Sequence, residues 1–380
     1  MPWQELSKME LRKEFVGLGV QPGQNIRQLC RRFGISPTTG YLWLKRHFEE
    51  SGLADRTHRP NSSPNRSSAE VEGQVMALRK AHPAWGARKL KHRLQAQGHA
   101  VPAVSTVHAI LVRNGCIEPG SSASHTPWQR FEHAAPNDLW QMDFKGHVGM
   151  SQGRCHPLTI LDDHSRYALC LSACGDERKE TVQDRLVTTF QRYGLPRRMT
   201  MDNGSPWGDS EAHYTAMDLW LMKQGIRVSH SRPYHPQTQG KDERFHRSLK
   251  AEVLQGLPFG GLEQAQSAFD HWRQIYNHQR PHEALGMQVP QQRYRISSAE
   301  YRAQPSPPEY TDQDTVRKVY EKGEISWQNW PYKVGKAFVG EHIAIRQTIE
   351  TGQYDVFWSV QRIARINAIN HSVISGKRLP

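Results

Sequence analysis

The stretch LWQMDFKGHV, residues 139–148, sets one acid, Asp143, among apolar and aromatic neighbours. The run reads as a β-strand over Leu139–Val148. A charged carboxylate inside a sheet is costly unless something positive binds it, so Asp143 calls for a partner. Downstream, Cys155–Asp162 and Tyr167–Ala173 read as two more strands joined by the turn DHSR. Lys179–Tyr193 has helical periodicity, Arg198–Met201 is a short strand, Ala212–Gln224 a helix, and Ile226–Ser231 a strand. Helices follow over Gln239–Leu254 and Leu262–His278. Three meandering strands followed by alternating helices and strands predict a mixed α/β sheet covered on both faces.

Two further acids fall where such a sheet exposes its ends. Asp202 closes a strand and opens the turn DNG, and Glu243 lies in the first turns of a helix after RPYHPQTQG. Each alone has a bland reading: a structural turn for Asp202 and a solvated helix position for Glu243. Together with Asp143 they offer the hard oxygen ligands that Mg²⁺ prefers. A pair of such ions about 3.5–4 Å apart activates an attacking oxygen and stabilises a leaving one in phosphoryl displacement. Gly204, after Asp202-Asn203, allows close backbone approach to DNA or a positive φ. Helical spacing puts Glu243, His246, Arg247 and Lys250 on one face, a metal ligand next to a cationic strip for a DNA backbone. Phe245, Leu249 and Val253 form another face, toward the sheet. Tyr234, His235 and Gln237 in the preceding loop, with Lys241, are candidate contacts to phosphates or bases. Asp162 and Asp163 serve turn chemistry and support, and Trp272, Tyr276, Asn277, Arg280, Pro281 and His282 are read as structural, with Arg280 and His282 the two that reach toward DNA if any do.

The N-terminal third is basic. Residues 1–135 carry 19 Lys and Arg against 10 Asp and Glu, most of the chain's net charge of +13. Such a surface attracts polyphosphates and releases their counterions. In residues 1–54, Ile26, Leu29, Cys30 and Phe33 form one apolar stripe of a helix starting at Asn25. Gly34 breaks it, and Ser36-Pro37 caps a second helix bearing Thr39, Tyr41, Lys45 and Arg46. Helix, tight turn, helix is the pattern of a helix-turn-helix DNA-binding domain. Residues 55–68 form a basic Pro/Ser-rich linker with Arg56, Arg59 and Arg66 as phosphate contacts. Residues 69–117 predict a second helix-turn-helix or winged helix. Its middle helix carries Arg88, Lys89, Lys91 and Arg93, and its last is capped by Ser105 and buries Val107, Ile110 and Leu111.

Residues 118–135 and 296–310 read as linkers, and residues 311–375, a series of short strands, as a small β-barrel whose core holds Trp327, Trp330, Phe357 and Trp358. The five cysteines are scattered and form no C-x-x-C pair, which argues against disulfides and zinc and for a reducing cytosol. No run of about 18 apolar residues predicts a membrane span, and the N-terminus lacks the pattern of a signal peptide.

LWQMDF, LDDHSRY, MDNGSPW, YHPQTQGKDERFHRSLKAE and QIYNHQRPHEALG together resemble the integrase core of DDE transposases and retroviral integrases over residues 136–295. The basic front and GLADRTHRPNSSP resemble bacterial insertion-sequence transposases carrying this core. The resemblance implies a ribonuclease-H-like fold and a metal-holding triad of Asp143, Asp202 and Glu243. Forty residues separate Asp202 from Glu243, longer than the family's usual interval, which leaves Asp242 and Glu252 as alternatives for the third acid. It further implies two Mg²⁺ ions per site, with Mn²⁺ as a substitute, and transposon-end and target duplex DNA as partners. A dimer or higher homo-oligomer on DNA and a cytoplasmic, nucleoid-associated place complete the expectation. A non-catalytic DNA-binding regulator and a nuclease for RNA–DNA hybrids are the competing readings.

Overall fold

The computed structural model describes residues 7–55, 66–117, 132–208, 213–230, 240–256 and 258–378. Residues up to Arg66 form one compact unit, and Ser67 onward a second.

In the first unit, α1 (Lys8–Gly19), α2 (Ile26–Arg32) and α3 (Pro37–Phe48) enclose Phe15, Val16, Leu29, Cys30, Trp43 and Leu44. The caps follow from the side chains. Ser7 and Glu10 form a reciprocal capping box on α1, which the sequence reading left unassigned amid its charges. Asn25 and Ser36 accept from the N–H groups of Gln28 and Thr39 to start α2 and α3. Gly34, at φ 65°, reverses the chain between them. Gly40 is where α3 crosses its partners: a Cβ there would overlap the Cys30 sulfur and the Phe15 ring.

The second unit begins with α4 (Ala69–Ala81), α5 (Ala87–Ala96) and α6 (Val104–Arg113) around Val75, Trp85, Leu90, Val107, Ile110 and Leu111. Arg79 ties the corner, donating to the carbonyls of Trp85 at 2.6 Å and Cys116 at 2.9 Å. Ser105 is not the cap of α6. Ala103 holds that position with no side-chain bond, so Ser105 sits in the first turn. Residues 66–117 contain no strand, and the residues that follow, 118–131, lie outside the described ones.

The central sheet is built from β1 (Trp140–Phe144), β2 (Val148–Gly149), β3 (Arg154–Asp162), β4 (Ala168–Cys174), β5 (Arg198–Met201) and β6 (Arg227–His230). Its order is β2-β3-β1-β5-β6 with β4 also on β3; β1–β3 and β3–β4 are antiparallel, β1–β5 and β5–β6 parallel. The single strand expected over 139–148 is broken at Gly146, whose φ is 81°. One face, with Trp140, Met142, Leu158 and Ile160, packs on α7 (Lys179–Tyr193) and α8 (Ala216–Lys223). The other, with Leu161, Ala168, Leu171 and Ala173, packs on α9 (Gly240–Leu249) and α10 (Leu262–His278). The long helix expected from 239 to 254 changes to a π-helical turn over Lys250–Leu254. The expected helix over 212–224 begins only at Ala216, with Thr215 as cap.

The C-terminal strands do not close into the expected barrel. They form an open antiparallel sheet, ordered β13-β12-β11-β10-β7, and a separate hairpin, β8–β9. Their ranges are β7 Thr315–Lys318, β8 Glu324–Trp327, β9 Trp330–Lys333, β10 His342–Gln347, β11 Gln353–Trp358, β12 Gln361–Asn367 and β13 Ser372–Ser375. The AFV stretch is a 3₁₀ turn rather than a strand. Trp358 is buried in this sheet's core, but Trp330 is half exposed and stacks on His371, so the four aromatics are not one core cluster. The sheet docks against the central one: Val228 donates to Gln361 Oε1, Tyr214 Oη donates to the Arg362 carbonyl, and Lys223 pairs with Glu341 at 2.7 Å. Part of the expected linker 296–310 is strapped to the core, with Ser297 donating to the Tyr193 carbonyl and Leu195 to that of Ala299.

Gly40→Ala is expected to destabilise the first unit by about 1–3 kcal/mol through overpacking. Hydrogen exchange of the α3 amides in the full chain reads it; unchanged protection would show that Phe15 moves aside freely.

Candidate active site

The strand register brings two of the sequence acids together. Trp140 lies beside Met199 and Gln141 beside Thr200 in parallel pairing; two residues beyond the last pair the strands lead to Asp143 and Asp202, and the Asp202 charge acts on Asp143. Alternation puts Asp143 on the face of Leu161 and Thr159, under α9 and α10. Burial first, then the charge of Asp202, push the Asp143 carboxyl up to about 7.

Asp202 is held at one oxygen. Oδ1 accepts from the Gly204 N–H at 3.0 Å and from Trp207 Nε1 at 2.7 Å. Trp207 in turn stacks on Phe144, with ring centres 5.2 Å apart. Gly204 has no positive φ, and a Cβ there would meet Asp202 Oδ2 at 3.0 Å. Beneath Asp202 runs a buried relay not foreseen from sequence. His230 bonds the Asp202 carbonyl through Nδ1 at 2.7 Å and Asp218 Oδ1 through Nε2 at 2.9 Å. Lys377, from the end of the C-terminal sheet, lies 2.9 Å from Asp218 Oδ2, an ion pair that does not meet hydrogen-bond direction. Burial pushes the Asp218 carboxyl up, but the His230 bond and charge, with Lys377, outweigh it and hold it below the ordinary range.

Helix α9 turns Asp242, Phe245, His246 and Leu249 inward and leaves Glu243, Arg244, Arg247 and Lys250 exposed. The cationic strip therefore loses His246, which was expected to face DNA. His246 packs on the sheet, with Nε2 2.9 Å from Thr159 Oγ1 and Nδ1 3.8 Å from Asp143 Oδ2. Thr159 donates to the Asp143 carbonyl, so it accepts from His246, which fixes the Nε2–H tautomer. Burial and then Lys145 push this imidazole down to about 4, so it is neutral at pH 7. Lys241 also turns inward, bonding the carboxylate and carbonyl of Asp163. Asp163 accepts as well from the His133 N–H and Gln141 Nε2, and Asp162 from Asn137 and Ser165, so both acids organise the DHSR turn as expected.

The third acid is the point where residue pattern and packing part. Asp242 is fully buried and neither of its carboxylate oxygens has a partner among the described residues. Burial, then the charges of Asp143 and Asp163, push it well above the ordinary carboxylate range. Glu252 is spent elsewhere, on Arg280 and Trp272. Among the described residues no group of three or more His, Cys, Asp or Glu side chains stands ready to hold a metal ion. Asp143 and Asp202 suit a divalent cation as adjoining hard-oxygen donors whose mutual repulsion a cation relieves.

The expected DNA contacts divide. On α3, Tyr41 and Lys45 are exposed, Lys45 beside Glu49 at 3.7 Å, while the Thr39 hydroxyl is taken by Ser36 and Arg46 folds over the Trp43 ring. Arg66 is exposed. On α5, Arg88 pairs with Glu283, Arg93 bonds Gln279, and Lys89 and Lys91 are half-buried. Arg56, Arg59, Tyr234, His235 and Gln237 lie outside the described residues.

With this geometry in view, comparison with known proteins defines the class. Residues 133–236 and 224–290 match the Integrase core domain, and residues 39–111 a Homeodomain-like domain. Residues 314–373 match the IS481 family transposase C-terminal domain. The chain thus joins an integrase core to a transposase C-terminal domain. More particularly, its matches pair that core with the C-terminal domain of one insertion-sequence transposase family, and proteins of insertion elements are among its relatives. It is 25% identical over 257 residues to an uncharacterized 39.2 kDa protein of insertion element IS476 from Xanthomonas euvesicatoria, covering 67% of this chain and 72% of that one. It is 28% identical over 156 residues to a 31.7 kDa protein of insertion element IS407 from Burkholderia multivorans, covering 41% of this chain and about half, 54%, of that protein. Among solved structures it is similar to a chain of the simian T-cell lymphotropic virus intasome in complex with PP2A regulatory subunit B56 gamma. There the identity is 16%, with 75% of this chain and 96% of that chain covered and a TM-score of 0.36.

Two outcomes follow for stability. Between the ordinary carboxylate range and about pH 7 the folded protein keeps a proton on Asp143 that the unfolded chain has released, so metal-free stability falls as pH rises through that window. Asp143→Asn should therefore raise metal-free stability at about pH 8 by on the order of 2–4 kcal/mol, read as a higher Tm. Equal Tm values would show that the carboxylate pair is not strained. Lys377→Met leaves Asp218 with one cationic neighbour fewer and should cost about 3–5 kcal/mol in denaturant titration.

Proposed function

We propose that the chain is a DNA transposase that binds the terminal inverted repeats of an insertion sequence and catalyses strand cleavage and strand transfer at Asp143 and Asp202. The observation that carries this reading is the parallel pairing of β1 with β5, which leads to Asp143 on one strand and to Asp202 just past the end of the other, with the Asp202 charge felt at Asp143. Two Mg²⁺ ions held there, with a third acid, would supply charge neutralisation at the phosphorus and a deprotonated attacking oxygen at neutral pH. The chain's own part is positional. Trp207 and Gly204 fix one oxygen of Asp202 and leave the other to a cation, while His230 props the backbone beneath it. His246, neutral and inward, seats α9 against β1 and β3. The residue pattern puts the third acid at Glu243; the packing offers Asp242. The exposed face of α3, with Tyr41 and Lys45, is the surface proposed to read base edges in the major groove. Two DNA ends must be joined, so the working form is proposed to be a homo-oligomer on DNA, in the cytoplasm at the nucleoid.

Incubation with Mg²⁺ and a labelled duplex of the element end tests the reading. Nicking and strand transfer are expected from the native chain and should be lost, by at least about a thousandfold, in Asp143→Asn and Asp202→Asn. Intact transfer in Asp143→Asn would sink the assignment. Glu243→Gln and Asp242→Asn, run in parallel, identify the third ligand by which of them abolishes transfer while keeping the native Tm. DNA binding with no nicking under any divalent ion would instead mark a regulator.

A further inference from the structure

Helix α5 meets the catalytic core where α10 ends and the chain turns through Arg280-Pro281-His282. Arg88 pairs with Glu283 at 3.4 Å, Arg93 bonds Gln279 at 3.2 Å, and Ile275 packs against the apolar core of the α4–α6 domain. Within this junction cations outnumber acids. Glu252, the buried acid there, is already engaged: Arg280 donates to Oε1 through Nε at 3.1 Å and Nη2 at 2.9 Å, and Trp272 Nε1 donates to Oε2 at 2.8 Å. Lys89 is half-buried beside this pair, and its ammonium has no hydrogen bond or ion pair among the described residues. Arg244, on the exposed side of α9, likewise has no partner for its guanidinium among them. His282 is 9% exposed, its ring against Tyr276, and its Nε2 is buried with no hydrogen-bond partner among the described residues. Gly86 caps α5 without a side chain to take the first N–H groups of the helix.

Geometry draws these groups together: Arg280 Nη2 also donates to Ser248 Oγ at 3.0 Å, one helical turn past Arg244, while Arg88 and Glu283, the chain neighbours of Lys89 and His282, pair with each other. Burial, then Arg280 and, less, Arg244, push the Lys89 ammonium down to about 8 against the pull of Glu252 and Glu283. Burial, then Arg280, Lys89, Arg166 and Arg244, push His282 well below its ordinary range. A half-buried excess of like charge is unfavourable by itself and is relieved by an anion. We propose that Lys89, Arg244, Arg280 and His282 form a phosphate-binding site at the junction of α5 with the core, and that a backbone phosphate of duplex DNA fills it. The ligand class follows from the groups present: two guanidinium groups, an ammonium, an imidazole and open helix N–H groups suit a tetrahedral oxyanion. The choice of DNA as its source rests on the transposase reading. Arg244 adjoins Glu243 on α9, so a strand held here is held in register with the candidate active site. The α4–α6 domain then acts as a clamp that shares one phosphate with the core, in place of a separate reader of sequence.

The test needs no transposition assay. The full chain is melted in sodium phosphate and in sodium chloride at equal ionic strength, and its binding to a duplex of random sequence is followed against salt. Native protein should melt higher in phosphate, and Lys89→Gln and Arg244→Gln should lose that increment; in chloride Arg244→Gln should keep the native Tm and Lys89→Gln should match or exceed it. In the same variants the slope of log affinity against log salt should become shallower by about 0.9, the value of one phosphate contact. Lys89→Arg, which keeps the charge, should restore both readouts. A phosphate increment with an unchanged DNA slope overturns DNA as the source, leaving a free-phosphate site. Loss of neither overturns the site itself. If Lys89→Gln alone lowers the Tm in chloride, Arg244→Gln, on an exposed side chain, carries the decision. Failure of the transposase reading shows separately, as absent strand transfer with both junction readouts intact.

Discussion

Two carboxylates, one on β1 and one just past the end of the parallel strand β5, repel one another, and the rest of the central domain is arranged to keep them together. Asp143 cannot retreat, because β1 is paired on both sides, antiparallel to β3 and parallel to β5. Asp202 cannot retreat either. Its side chain is pinned by Trp207 and Gly204, and its backbone by His230. The repulsion is expressed in protonation, since Asp143 holds its proton up to about 7. That opposition of like charges is the physical ground on which the proposal of a bound cation rests.

Support for that pair is spread through the chain. Asp218 on α8 anchors His230, and Lys377 near the C-terminus closes on Asp218, so the C-terminal sheet reaches beneath the strand end that carries Asp202. From the other face, α9 presses His246 onto Thr159, which holds the Asp143 carbonyl. The α4–α6 domain leans on the same side through Arg93 and Arg88. Buried polar networks of this kind lose more than the sum of their bonds when one member goes, because the groups left behind are already out of water.

Much of the local structure was legible because its signals are local. The bounds of α7, α10 and β5 agree with the residue pattern, and Asn25, Ser36 and Pro37 mark helix starts as their chemistry demands. Other features were not legible, for equally physical reasons. Helix α1 hides its apolar side, Phe15 and Val16, among charges. Ser105 looks like a cap, yet the turn begins two residues earlier because Ala103 already has the extended backbone of a cap. The barrel failed because strand count does not state closure; β13 and β7 end as edges of an open sheet.

By itself the sequence determined the element types, the helical front, and which acids stand at strand and helix ends, since periodicity and capping act over a few residues. Only the tertiary structure decided which faces turn inward. On α9 a rotation of one residue separates buried Asp242 from exposed Glu243, and sends His246 and Lys241 into the protein. Only tertiary packing, too, joined His230, Asp218 and Lys377 into one relay. A helix seats itself by the sum of its contacts with the sheet and its neighbours, and that sum runs over residues far apart in the chain.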